Sequence, residues 1–209
     1  MSLITKAPTL LVSESSNLAT RINTGGTGYL SILSSINTVL ANISFNASVP
    51  LGTPDAVTGV TTTGGILSGS AIASGIADTY RVYSGAGNEL LRGTVGADYI
   101  FTADSVADII TAVGNNFIVG DAVLPSSNTT LPAPLLSTTA YFVISAGNNI
   151  QVSLINGGSV INLTDNGSGI HKIRKSSISL ILNSGNTNPL QVNSGQVVSI
   201  SSFSYDPEG

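Results

Sequence analysis

His171 is the chain's single histidine and so its only neutral-pH base. As the base of a hydrolase it would need a hydroxyl nucleophile in a strained turn and a carboxylate behind the imidazole. No Gly-x-Ser-x-Gly elbow accompanies it. As a metal ligand it would need further donors at suitable spacing, and with no cysteine in the sequence no thiolate is among them. Lys172, Arg174 and Lys175 follow it, three of the seven Lys and Arg residues present. On a strand Lys172 and Arg174 share one face. Such a run is either a solvated strand end or a basic patch that meets an acidic partner. His171, Lys172, Arg174 and Lys175 are therefore the candidate partner contacts.

The acids offer less. Asp98, Asp104 and Asp108 lie close in sequence but lack the Asp-x-Asp-x-Asp-Gly order of a calcium loop. Asp165-Asn-Gly-Ser-Gly reads as a turn before it reads as a ligand set. Only eleven acids exist, and none stands in a context that marks a glycosidase pair. Gly25-Gly-Thr-Gly faintly echoes a phosphate loop but lacks the Gly-Lys-Ser/Thr ending, and reads as flexible linker. No catalytic, cofactor or metal residue is assigned, and no enzyme activity is expected.

The elements expected to carry these residues are mostly strands. Thr79–Tyr83, Glu89–Thr94 and Asp98–Thr102 read as strands. So do segments near Phe117–Val123, Ala140–Ala146, Ile150–Ile155, Val160–Leu163 and Ile170–Arg174, with Ser177–Leu182 and Gln196–Ser201 closing the set. Gly147-Asn-Asn, Asn156-Gly-Gly and Asp165-Asn-Gly supply the positive φ of tight turns. Three segments are candidates for helix. One short helix runs from Ser15 to Arg21. A second follows the spacing of Leu30, Leu33, Ile36, Val39, Leu40 and Ile43. The third runs from Ser105, as its cap, through Val106, Ile109, Ile110 and Val113 to a left-handed stop at Gly114, with Asp108 in the first turn. The fold class expected is mainly β: an antiparallel sandwich or barrel with one or two short helices and an extended N-terminal arm. The segments expected are 1–55 (arm with a short helix), 56–115 (a small β/α region) and 116–209 (a sandwich or barrel module).

Composition narrows the class of partner. Charged residues are 9% of the 209, against roughly 25% in an ordinary domain. Mean hydropathy is +0.36, yet no apolar run approaches the ~20 residues of a membrane helix. The polarity comes from Ser, Thr, Asn and Gly. Neutral hydroxyls and amides lose less on desolvation than charges, and weak repulsion lets copies approach. This suits a protein that works inside an assembly; a secreted β-protein with a neutral surface is the other reading. A net charge of −4 disfavours nucleic acid as the partner. The first residues lack the basic stretch and apolar core of a signal peptide.

From Gly120 to His171 the order is Gly-Asp-x-Val, Leu-Pro-x-Pro-Leu, Thr-x-Tyr-Phe-Val-Ile, Asn-x-Ile-Gln-Val-Ser, then Gly-Gly-x-x-Ile-Asn-Leu-Thr-Asp-x-Gly-Ser-Gly-x-His. This order resembles a β-module recurring in virion proteins of tailed bacteriophages, among them head-surface, tail-fibre and baseplate proteins. It covers roughly a quarter of the sequence and none of the first 115 residues. The resemblance implies a virion structural protein. A head decoration (cement) protein is the first expectation, because the protein is small, lacks fibre-shaft repeats and has a plausible arm. Its partners would be the major capsid protein lattice or other virion proteins, as a homo-oligomer, a trimer at a symmetry point being the simplest. The second expectation is a tail-fibre or baseplate component contacting a host glycan, with Tyr80, Tyr83, Tyr99 and Tyr141 as stacking surfaces. A secreted polysaccharide-acting enzyme is a third.

Overall fold

A computed structural model describes residues 7–63, 67–176, 180–186 and 188–205. The protein is mainly β, with one helix among the described residues. In sequence order the elements are α1 (Pro8–Ile22), β1 (Tyr29–Leu33), β2 (Val39–Ser44), β3 (Thr61–Thr62), β4 (Leu67–Ser70), β5 (Gly75–Ile76), β6 (Thr79–Tyr83), β7 (Glu89–Gly96), β8 (Tyr99–Asp104), β9 (Ile109–Thr111), β10 (Ala122–Ser127), β11 (Tyr141–Ser145), β12 (Asn149–Ser153), β13 (His171–Lys175), β14 (Leu180–Asn183), β15 (Gln191–Val192) and β16 (Val197–Tyr205).

The protein divides into two compact units. The first comprises Met1–Val95, Ser179–Gly185 and Leu190–Gly209; the second comprises Gly96–Ile178 and Asn186–Pro189. The boundaries expected near 55 and 115 therefore fall inside units. The second unit is inserted in sequence between β7 and β14, which are neighbours in the sheet of the first.

In the first unit the sheet runs β2-β1-β6-β7-β14-β16-β3, and β4 pairs with the start of β16. An Ala41–Ala71 bridge and the bond from Ile72 N–H to the Leu40 carbonyl bring β4's exit back to β2, so the sheet curls almost closed. Phe203 is fully buried, with its ring edge-on to both Phe45 and Tyr80 at 6.2 and 5.7 Å. Leu30, Ile32, Leu40, Ile43, Val82, Leu180, Leu182 and Ile200 fill the rest of this core.

In the stretch expected to be an extended arm with a short helix over Ser15–Arg21, the helix is there and starts earlier: α1 runs over Pro8–Ile22. Pro8 suits the first turn, where its missing N–H is not needed. Leu11, Ser15, Leu18 and Ile22 form its buried stripe, and Ser15 Oγ donates to the Gly59 carbonyl. The glycines after it are no loose linker. A Cβ on Gly85 would stand 2.1 Å from the Gly26 oxygen, so the two backbones pack against each other there. They also follow the helix C-terminus, the negative end of its dipole, which repels phosphate.

The helix expected over Leu30–Ile43 is instead the β1–β2 hairpin, turning at Ser34–Thr38 with Asn37 at φ 62°. Leu30 to Leu33 are all buried, so no alternation betrays the strand. Leu and Ile on both faces merely imitate a helical spacing, while Ser and Asn weaken any helix.

The second unit is a closed six-stranded antiparallel barrel, in the order β10-β11-β12-β9-β8-β13. Inward and outward residues alternate as closure demands: Tyr99 and Phe101 point in while Ile100 stays exposed, and His171 and Ile173 point in while Lys172 points out. The helix expected from Ser105 is absent; β8 turns there and returns as β9. Asp104, not Ser105, makes the cap-like bonds, accepting from the N–H groups of Val106 and Ala107. Asp108 sits at φ 55° and accepts from the Leu163 N–H. Val106, expected on an apolar face, is 96% exposed at the hairpin tip.

Two strands move. The one expected over Phe117–Val123 begins only at Ala122, because Ile118–Asp121 closes a turn with Gly120 at φ 95°. It continues through Pro125, where β11 no longer pairs and no N–H is needed on that side. Val160–Leu163 is an irregular connection, tied by Ile161 N–H to the Val152 carbonyl. Part of the strand expected over Ser177–Leu182, residues 177–179, lies outside the described residues; Leu180–Asn183 is β14.

Candidate functional site

β13 positions every residue of the candidate contact. It pairs with β10 along its whole length and with β8 over residues 171–173, so pairing with β10 places all four site residues and pairing with β8 also holds His171 and Lys172. Pleating then sends alternate side groups to opposite faces of the wall.

His171 goes inward. It is 5% exposed, and its ring lies 5.2 Å from that of Phe101. Its Nδ1 is 3.0 Å from Ser127 Oγ and its Nε2 is 3.2 Å from the Asn166 carbonyl oxygen. A carbonyl only accepts, so Nε2 carries a proton; the Ser127 hydroxyl at Nδ1 also lies 3.2 Å from the Ser168 carbonyl oxygen. The pair looks superficially like a serine–histidine dyad. A backbone carbonyl stands where a hydrolase places a carboxylate, however, and the imidazole is enclosed. The ring ties β10, β13 and the 165–169 turn together. Being buried, His171 does not form the contact surface expected of it with its three basic neighbours.

Those neighbours are at the surface, and acids meet them. Lys172 Nζ is 3.7 Å from Asp98 Oδ2, and Arg174 Nη1 is 3.4 Å from Asp98 Oδ1. Lys175 Nζ is 2.9 Å from Asp121 Oδ2. Lys172 and Arg174 do share a face, and Asp98 is what they share it with. The expected basic patch is thus largely neutralised within the unit. In the first unit Glu89 does the same for Arg81 and Arg92. Among the described residues, Arg81, Arg92, Lys172, Arg174 and Lys175 each have an acid of the same molecule within ion-pair distance.

Exposed pairs of this kind contribute about 0–1 kcal/mol each. Asp98→Ala is therefore expected to lower the unfolding free energy by at most about 1 kcal/mol. Its larger effect is to free Lys172 and Arg174, which a cation-exchange column reads as later elution. An unchanged elution position would mean the two cations are masked by something other than Asp98.

The other acids hold the backbone. Asp104 and Asp108 shape the β8–β9 hairpin as described above. Asp165 accepts from the N–H groups of Ala133 and Gly167 at 3.0 and 2.9 Å, and these two bonds hold its carboxyl below the usual range. Tyr99 donates to Asn116 Oδ1 at 3.1 Å, and burial pushes its hydroxyl up to about 12.

Three tyrosines expected as stacking surfaces are interior: Tyr80, Tyr99 and Tyr141 are each no more than 3% exposed. Tyr83 is half-buried and stacked on Tyr29 at 5.0 Å. The concave surface of the barrel unit is elsewhere. An open hollow of about 550 Å³ lies along Ser127–Ser137, with Leu131, Pro134 and Leu136 among its walls. A second of about 390 Å³ is lined by Ser126, Ser127, Asn128, Ile170 and Lys172. Hydroxyls and aliphatic carbons make up most of both.

Sequence reasoning missed Asp98, Asp121, Ser127 and Asn166 as partners of the β13 residues. Arg174 and Asp98 are 76 positions apart, and only barrel closure brings them together. Comparison with protein-family models, with curated proteins and with solved structures returns no match for this protein.

Proposed function

We propose that this is a structural protein of a tailed-bacteriophage virion, and within the virion a decoration (cement) protein bound to the assembled head. The observation that carries the reading is the pairing of the few cations inside the molecule. An exterior with few charged residues, its cations mostly paired, presents mainly hydroxyls, amides and scattered aliphatic groups, among them Ile36, Ile100, Val106, Ile118, Leu154 and Ile155. Such a surface is desolvated at low cost when copies or partners close over it. The module resemblance over Gly120–His171 supplies the virion context.

The mechanism is mass action. A protein that binds the assembled lattice, and not its free subunits, adds its binding free energy to the assembled state. The partner is the major capsid protein, and a homotrimer at a lattice symmetry point is the simplest stoichiometry. No catalysis is assigned. The second reading, a tail-fibre or baseplate component, is favoured by the hydroxyl-lined hollows of the barrel unit, which suit a neutral glycan better than the buried tyrosines do.

Particles lacking the protein are expected to release DNA at lower temperature and under milder osmotic shock than complete particles. Adding the purified protein back should restore the resistance. Particles equally robust with and without it would reject cementing.

A further inference from the structure

We propose that Asn156 is a site of spontaneous deamidation, and that the chemically identical Asn166 ten residues later is protected by the fold. Both asparagines precede glycine, the neighbour that least obstructs the reaction. The backbone nitrogen of the glycine gives up its proton and attacks Cγ of the asparagine. A new C–N bond closes a five-membered imide. The bond between Cγ and Nδ2 breaks, and that nitrogen leaves as ammonia after taking a proton from water. Water then opens the imide at either carbonyl, giving aspartate or isoaspartate. The net change is one amide and one water to one carboxylic acid and one ammonia, so no oxidant or cofactor is involved.

At Asn156 little opposes these steps. Residues 155–158 form a turn closed by Gly158 N–H to the Ile155 carbonyl at 2.8 Å. Gly157 occupies the third position at φ 72°, and a Cβ built on it would meet nothing within 4 Å. In such a turn the closing bond uses the N–H of the fourth residue, not that of the third. Among the described residues neither the Gly157 N–H nor the Asn156 amide has a hydrogen-bond partner, and Asn156 is exposed. The amide is free to rotate, and the single 155–158 turn bond is the restraint on the backbone as it moves into the attacking geometry.

At Asn166 each step meets an obstacle. The attacking nitrogen would be that of Gly167, whose N–H donates to Asp165 Oδ1 at 2.9 Å. That nitrogen must become an anion to attack, and a carboxylate already stands against it. Asp165 stays ionised at neutral pH because its own hydrogen bonds favour the charged form. The Asn166 amide is held too, since its Oδ1 accepts from the Ser105 N–H at 2.8 Å. Its carbonyl oxygen is engaged by His171. Gly167 also packs closely on the 130–132 backbone: an added Cβ would lie 2.6 Å from the Thr130 oxygen and the Pro132 nitrogen. Ring closure there requires breaking this lock.

The product matters because charge is scarce. One conversion takes the net charge from −4 to −5 (−4 − 1) and places the new carboxylate beside Leu154 and Ile155, which are 60% and 72% exposed. It is a one-way change of an apolar, neutral surface into an acidic one, and it holds whichever virion role the protein plays.

The test incubates the purified full-length protein at mildly alkaline pH and body temperature, then maps aspartate and isoaspartate by peptide mass spectrometry. Asn156 is expected to convert about tenfold or more faster than Asn166, the factor that breaking one charge-assisted hydrogen bond implies. Asn156→Ser should abolish the acidic species that anion exchange resolves. Asp165→Ala should accelerate conversion at Asn166. Equal rates at the two sites, or an Asn156 that stays intact while the urea-unfolded protein converts, would overturn the proposal. An Asn166 rate unmoved by Asp165→Ala would remove its protective mechanism.

Discussion

Phe203→Ala is expected to cost the first unit about 3–5 kcal/mol of unfolding free energy, the range for emptying a buried aromatic site. Phe203 lies on β16, the longest strand, which pairs with β14, β4 and β3 at different points along its length. Its ring is 1% exposed and meets Phe45 and Tyr80 edge to face. Truncation therefore loses the transfer free energy, two ring contacts and the packing of a site that the surrounding strands cannot collapse to fill. A small domain is stable by only about 5–15 kcal/mol, so a loss this size is a large part of the whole. Urea unfolding followed by far-UV circular dichroism measures it. Phe203→Leu, which keeps much of the volume, should recover part of the loss. A cost under about 1 kcal/mol for Phe203→Ala would mean the unit's core is centred elsewhere.

The second large effect is predicted at His171. His171→Ala is expected to destabilise the barrel unit by about 2–4 kcal/mol, from the emptied volume against Phe101 and two lost hydrogen bonds that leave the Asn166 carbonyl unpaired. His171→Phe refills the volume without restoring the bonds and should cost about 1–3 kcal/mol. The graded series identifies a structural histidine. If both variants unfolded at the wild-type urea concentration, the ring would be carrying no structural role. A depolymerase or esterase activity lost in His171→Phe without loss of stability would revive the enzyme reading.

What is legible in the sequence follows from where its signals are local. β6 and the start of β7 are readable because Thr79–Tyr83 alternates and Glu89 follows a Gly/Asn turn. The β11–β12 hairpin is readable because Gly147 and two asparagines sit between apolar runs. The two strand pairs mistaken for helices have a common source: strands buried on both faces, or short strands beside polar turns, do not alternate. Leu30–Leu33 is solidly buried, and Ile109–Ile110 follows an Asp104 turn that resembles a helix cap in one dimension. The four candidate contact residues do lie on one strand, as expected. Their environments are not legible, because Asp98, Asp121 and Ser127 reach β13 only through strand pairing in a barrel whose strands come from across the second unit, and Asn166, five residues before His171, only through the path of the turn. Tyr80, Tyr99 and Tyr141 teach the same lesson: residue type suggests a stacking surface, and inward register removes it.

The proposed role rests on a protein this poor in charged residues, with most of its cations held by its own acids, standing against copies of itself and of a shell. The measurement that bears on this most directly is copy number in purified virions. Lattice decoration predicts protein staining comparable, mole for mole, to that of the major shell protein. A handful of copies per particle would contradict it and move the protein to the tail.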